Sequence, residues 1–308
     1  MGYRAKILAD SLSENNNRLT SMEVTFPRYV LPEFNTHRVF SRNSASSRAV
    51  PVEKRILQII EEPVMPLEWG VNKAGMQSVD ILSDKEAVQA EESWLIARDH
   101  AVLGAVALMG GLEKIKDIST KEHVADLYDK YGATIPSAIS GVHKQFVNRL
   151  LEPFMWHTVV VSSTEWDNFY GLRLHPDAQP EIRRVAQLMK AAMMGTNPEI
   201  LSESEWHVPF VLDQEKELYS IDFLSKIAVA RCARVSYETH DTGKIDYDKD
   251  LALHDSLLAS GHMSPFEHIA RPMSDTEMLT NSWSGNFQGW HQYRKDIPNE
   301  AIYSEENR

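Results

Sequence analysis

His37-Arg38-Val39-Phe40-Ser41-Arg42-Asn43-Ser44-Ala45-Ser46-Ser47-Arg48 interleaves three arginines and a histidine with four serines and an asparagine, and contains no acidic residue. Guanidinium forks grip phosphate bidentately, and hydroxyls, an amide and free backbone N–H groups fill the space between them. The stretch reads as a polyanion site in miniature. A solvated Ser/Arg loop is the alternative for these residues taken alone.

The surrounding chain sharpens the contrast. It has 308 residues, a net charge of −12, 43% hydrophobic and 25% charged residues, which is ordinary globular composition. An acidic balance disfavours a nucleic acid polymer, which needs a broad basic face, and points to a small anion such as a nucleotide. The N-terminal residues carry no apolar leader and no run reaches membrane-spanning length, so no membrane contact and a cytoplasmic location are expected. The single cysteine, Cys232, lies in the apolar run Ile227 to Ala233 and reads as a core thiol in a reducing compartment.

Working outward from the basic stretch, Ser21 to Phe26 alternates polar residues with Met22, Val24 and Phe26, the period of a half-buried strand, and Pro27 ends it. Residues 1–20 are polar and read as a lead-in. On the other side, Val52 to Ile60 has helical spacing and stops at Glu61-Glu62-Pro63. A long helix runs from Ser83 to the Gly110-Gly111 pair. Two further helical stretches fall within 120–151, where Lys144 and Asn148 share a face and Arg149, beside Leu150-Leu151, is expected to point into a cleft.

Phe154 to Ser163 is a buried strand by its β-branched and aromatic content. Thr164 is a candidate N-cap for a helix carrying Asn168 and Arg173, whose free N–H groups would add to an anion site. A helix to Met194, an excursion over 196–220, helices from Ser220 and Asp246, an aromatic segment and a polar tail over 296–308 complete the chain. Without repeats or a low-complexity linker, residues 1–308 read as one mixed α/β domain of α+β type with added helices.

There is no His-Glu-x-x-His, no cysteine pair, no Gly-rich phosphate loop and no Gly-x-Ser-x-Gly elbow, so metal and serine-nucleophile chemistry have little support. What remains is an arginine, serine and amide constellation that positions and polarises, leaving the hard chemistry to a cofactor.

Three blocks resemble the flavin-dependent thymidylate synthases, the ThyX type. Thr36-His37-Arg38, seven residues and Ser46 is similar to the family's Arg-His-Arg, seven residues, Ser. Asn168-Phe169-Tyr170-Gly171-Leu172-Arg173, followed by Ala178-Gln179-Pro180-Glu181-Ile182, is similar to its Asn-Phe-x-x-Leu-Arg and Ala-Gln-x-Glu-Ile segments. Ala233-Arg234-Val235-Ser236-Tyr237 and Gly261-His262-Met263-Ser264-Pro265-Phe266-Glu267-His268 resemble Ala-Arg-Val-Ser-Tyr and Gly-His-x-Ser-Pro-Phe-Glu-His. In the family the last block precedes the Arg-His-Arg block; here it follows, so a circularly permuted ThyX-like mixed sheet flanked by helices is expected.

The resemblance implies a homotetramer that binds FAD and a deoxypyrimidine monophosphate between subunits, with methylenetetrahydrofolate as carbon donor and NADPH as reductant. Carried over by position, Ser46, Arg48, Arg149 and Arg173 would hold the nucleotide, with Arg173 and Ser46 catalytic. His37, Arg38, Asn43, Asn168, Leu172, Ser236 and His268 would contact flavin, and His268 folate as well. The departures are Thr36 for the first arginine, Ser44 for a glutamate, Ala49 for a tyrosine, Ser162-Ser163-Thr164 for an Asn-x-Arg, and Asp177 for a histidine. Because they fall on flavin and pyrimidine contacts, methylation of dUMP stands beside methylation or hydroxymethylation of another base such as dCMP, and beside a non-catalytic nucleotide-binding relative.

Overall fold

The computed structural model describes residues 2–74, 80–132, 137–139, 141–235, 245–298 and 300. Its centre is a five-stranded sheet. The strands are β1 (Arg4–Ser13), β2 (Arg18–Pro27), β3 (Ser41–Ser44), β4 (Trp156–Ser163) and β5 (Glu199–Leu201), in the order β3-β4-β2-β1-β5. All neighbours are antiparallel except β1 and β5, which makes the sheet mixed.

The expected lead-in over 1–20 is instead mainly strand. Residues 4–13 form β1, and a turn with Asn16 at φ 61° returns the chain into β2. Polarity hid it: β1 buries Ser11 and Ser13, and Asp10 takes hydrogen bonds from Arg18 and Thr20 across the hairpin. The reading of β2 as half-buried is also corrected, since Thr20, Ser21 and Thr25 are buried together with Met22, Val24 and Phe26. The alternation is real, but both faces are covered.

One face carries the main apolar core. Met22, Val24, Phe26, Val159 and Val161 meet Phe34 of α1 (Leu31–Asn35). Phe169 of α6 (Asp167–Arg173) and Ile182, Val185 and Met189 of α7 (Pro180–Met194) close the same core. A second core lies in the helical block between β3 and β4: α2 (Val52–Glu61), α3 (Asp84–Met109), α4 (Ile118–Tyr131), α5 (Lys144–Val147) and the 3-10 segment Asn148–Phe154. α3 starts at the Ser83/Glu86 capping box and ends at Gly110, whose φ of 110° suits glycine.

The opposite face is covered by the last third of the chain. α8 (Asp213–Leu218), α9 (Ile221–Arg234) and α10 (Tyr247–Ala259) lead to the 3-10 turn Ser264–His268 and to β6 (Ala270–Pro272). Beyond α11 (Asp275–Thr280) come the short strands β7 (Trp283–Ser284), β8 (Phe287–Gln288) and β9 (Trp290–Gln292), of which β9 pairs with β6. Residues 196–220, expected as an excursion, supply the edge strand β5 and His207, which is backbone-paired to Ala270. Cys232 is fully buried on α9, as expected. Among the described residues no helix is long and apolar enough to cross a membrane.

Candidate active site

The basic stretch runs along β3 at the sheet edge and is gripped at both ends. At its start, Arg173 on α6 (Asp167–Arg173) donates from Nε to His37 Nε2 at 2.9 Å. Its Nη2 donates to Thr36 Oγ1 at 3.0 Å and to the Glu33 carbonyl at 3.1 Å. His37 sits against Phe169 and Phe40, with centroids 4.9 and 5.6 Å away. Burial first, then the Arg173 and Arg42 guanidiniums, hold its pKa down at about 4. It is therefore a neutral imidazole, with Nε2 as acceptor and the proton on Nδ1. Arg173 keeps Nη1 without a partner among the described residues.

At the far end, Asn148 is fully buried and its Nδ2 donates to the carbonyls of Ser47 and Val50, at 2.6 and 3.0 Å. Lys144 Nζ adds a bond to the Ala49 carbonyl at 2.9 Å. Lys144 and Asn148 thus share a face as the spacing predicts, and that face clamps the turn bearing Ser46 and Arg48. Ser46 Oγ accepts the Arg48 N–H at 3.2 Å, which leaves the hydroxyl proton for a ligand. Arg48 is exposed.

Two expectations are corrected. Arg149 projects into solvent, paired with Glu152 at 3.4 Å, because the 3-10 turn directs the buried Asn148 and Leu151 inward in its place. Thr164 caps no helix: its Oγ1 accepts the Gln288 N–H, and α6 begins three residues later with Asp167 in its first turn. The start of α6 is no anion site.

The remaining candidates divide. Arg38, Asn168 and Leu172 are exposed, and Arg38 has no partner among the described residues. Asn43 is buried and spent on the fold, donating from Nδ2 to the Cys232 carbonyl at 2.7 Å and accepting from Ser264 Oγ at 3.2 Å. Ser236 lies outside the described residues. His268 is fully buried, with Nδ1 against Ser162 Oγ at 2.8 Å and Nε2 without a partner among the described residues. The Ser264–His268 turn, distant in sequence, is thereby fastened to β3 and β4.

The family model Thy1, thymidylate synthase complementing protein, matches residues 18–199, more than half of the chain. The chain belongs to this family. The match takes in the first two of the three sequence blocks, and this Thy1 member is a thymidylate synthase-like methyltransferase. A solved structure of a UMP/dUMP methylase, PolB from Streptomyces cacaoi bound with 5-Br UMP, is similar over 62% of this chain and 88% of its own, with 14% identity and a TM-score of 0.38. No curated protein matches.

The Thy1 match runs from β2 to the first residue of β5 and contains both grips on the basic stretch. Sequence reasoning missed His207 entirely; a lone histidine among turn signals gave no cue that it would be buried. It also gave Thr36 no role, although Thr36 replaces the family's first arginine with a hydroxyl that accepts from Arg173.

Proposed function

We propose that this Thy1 member transfers a one-carbon unit from methylenetetrahydrofolate to C5 of dUMP, using FAD and NADPH, in a homotetramer. The observation that carries this reading is the Arg173–His37–Thr36 grip. It pins the pyrimidine-polarising guanidinium of the family motif while leaving Nη1 open to a ligand.

The residues present fit the cofactor. Arg38 offers an unpaired guanidinium for a diphosphate, Asn168 and Leu172 offer an exposed amide and apolar surface, and His268 Nε2 is an orphaned buried nitrogen. Asn43 is withdrawn from that set by its bonds to Cys232 and Ser264. FAD when bound would supply the redox chemistry between NADPH and the pyrimidine.

The chain's own groups do the rest. Arg48 neutralises the phosphate and the Ser46 hydroxyl donates to it. Arg173 donates to a pyrimidine carbonyl, drawing charge out of the ring so that C6 accepts hydride and C5 becomes nucleophilic. Neutral His37 fixes the Arg173 plane without adding a like charge. No thiol takes part: Cys232 is fully buried and burial raises its pKa.

The reverse chain order supports a circular permutation, because the Ser264–His268 turn still lies against β3 and β4 although the chain reaches it last. The deciding experiment is tritium release from [5-³H]dUMP and [5-³H]dCMP, each incubated with protein, FAD, NADPH and methylenetetrahydrofolate. Release from dUMP alone is expected. Release from dCMP alone would move the substrate and implicate Ser44 and Thr36, and no release with a colourless protein would leave a nucleotide-binding relative.

A further inference from the structure

Five buried side chains outside the arginine site form one line. Ser11 Oγ lies 2.9 Å from His207 Nδ1, and His207 Nε2 lies 2.8 Å from Ser21 Oγ. Ser21 Oγ meets Ser162 Oγ across the β2–β4 pair, where the two residues are in register, and Ser162 Oγ lies 2.8 Å from His268 Nδ1. None of the five is more than 3% exposed. The line ends at His268 Nε2, which has no partner among the described residues.

Proton counting restricts this line severely. Burial holds both histidines near a pKa of about 3, so each imidazole is neutral and carries one proton. Each hydroxyl also carries one. Five protons serve four hydrogen bonds. Neutral His207 donates through one ring nitrogen and accepts at the other, and a Ser21 or Ser162 hydroxyl that accepted both of its bonds would strand its own buried proton with no acceptor among the described residues, at the full desolvation cost of that group. Only two arrangements make every bond and strand no interior hydroxyl proton. In the first, Ser11 donates to His207, His207 Nε2–H to Ser21, Ser21 to Ser162 and Ser162 to His268, so His268 presents Nε2–H. In the second all four bonds reverse, both histidines carry Nδ1–H, and His268 presents an acceptor.

We propose that Ser11, His207, Ser21 and Ser162 are positioning residues that set His268 Nε2 as donor or acceptor toward a bound ligand, and that His207 and His268 always share one tautomer. A carbonyl-type acceptor at Nε2 selects the first arrangement, and an N–H or O–H donor selects the second. The 196–220 segment then has a role, since it brings His207 to the sheet. The tautomer rule is independent of the flavin reading; only the identity of the ligand rests on it.

The test is ¹⁵N solid-state NMR of histidine-labelled full-length protein at neutral pH, with the two rings assigned through His207→Gln and His268→Gln. Without ligand, both histidines are expected to carry the proton on the same ring nitrogen. Opposite tautomers in the wild type would overturn the proposal, and no variant is needed for that comparison. FAD is then added. Any tautomer change at His268 is expected to be matched at His207 in the wild type and unmatched in Ser21→Ala, where the line is cut; a change at His268 alone in the wild type would also overturn it. A protein that takes up no FAD, judged from its visible spectrum, defeats the flavin reading and leaves the ligand-free comparison to decide this one.

Discussion

At the residue scale the site depends on how Arg173 is held. Arg173→Ala removes the donor proposed for the pyrimidine and leaves the buried His37 Nε2 without its partner. A preorganised donor of this kind is worth on the order of 10² to 10³ in turnover, so tritium release from labelled dUMP should fall by about that factor. Arg173→Lys keeps the charge but not the fork, and should recover little of the loss. His37 itself makes a prediction about acid. Its folded pKa of about 4 lies below the ordinary histidine value of roughly 6.5. The unfolded chain therefore binds more protons between these values, and stability present above pH 6.5 is lost as pH falls toward 4. His207 and His268, held near 3, extend the loss further down. Urea midpoints measured from pH 7 to 4 should decline steadily, and a flat profile would mean that these imidazoles are charged in the folded protein.

At the element scale, contacts between distant segments decide the geometry. Asn148 ties the Ser46–Val50 turn to the helical block by two bonds from one amide, while its Oδ1 has no partner among the described residues. Asn148→Ala leaves two buried carbonyls unpaired and should cost about 1–3 kcal/mol in chemical denaturation. It should also weaken dUMP binding in calorimetry, because Arg48 rides on the released turn. A second tie is ionic: Arg231 on α9 forks onto Glu215 of α8 at 2.7 Å and reaches Asp250 of α10 at 3.2 Å, with all three buried. Arg231→Met leaves the buried Glu215 carboxylate without its guanidinium, while Asp250 keeps Arg234, and should cost about 3–5 kcal/mol in denaturant titrations. Elements whose signal is local were legible in the sequence: α2, α3 and α7 from apolar spacing and caps, β4 from its β-branched run, and the shared face of Lys144 and Asn148. β1 was not, because its buried side chains are serines and an aspartate satisfied by Arg18, Thr20 and His207, partners that only the folded sheet supplies. The true start of α6 was hidden for the same reason, Thr164 being taken by Gln288.

At the scale of the whole molecule, part of the candidate site lies in the open, at Arg38, Arg48, Asn168 and Leu172. Leu172, beside Arg173, is 54% exposed, and Phe146, near Arg149, is 60% exposed. Large apolar side chains in the open are unremarkable singly, and the proposed homotetramer offers a neighbouring copy to cover these two. Covering them would return roughly 25 cal/mol for each Å² of apolar surface removed from water, while the arginines close over a dianionic ligand in a chain of net charge −12. The proposed homotetramer makes a definite demand on mass: light scattering should give four times the monomer mass for the wild type. Phe146→Glu places a carboxylate on that surface and should shift the mass downward, with loss of tritium release in the smaller species. Leu279→Glu on α11, at an equally apolar and still more exposed position, should leave both mass and release unchanged. A wild type that runs as a monomer yet releases tritium would show that a single chain completes the site, and the exposed apolar border would then belong to the ligand.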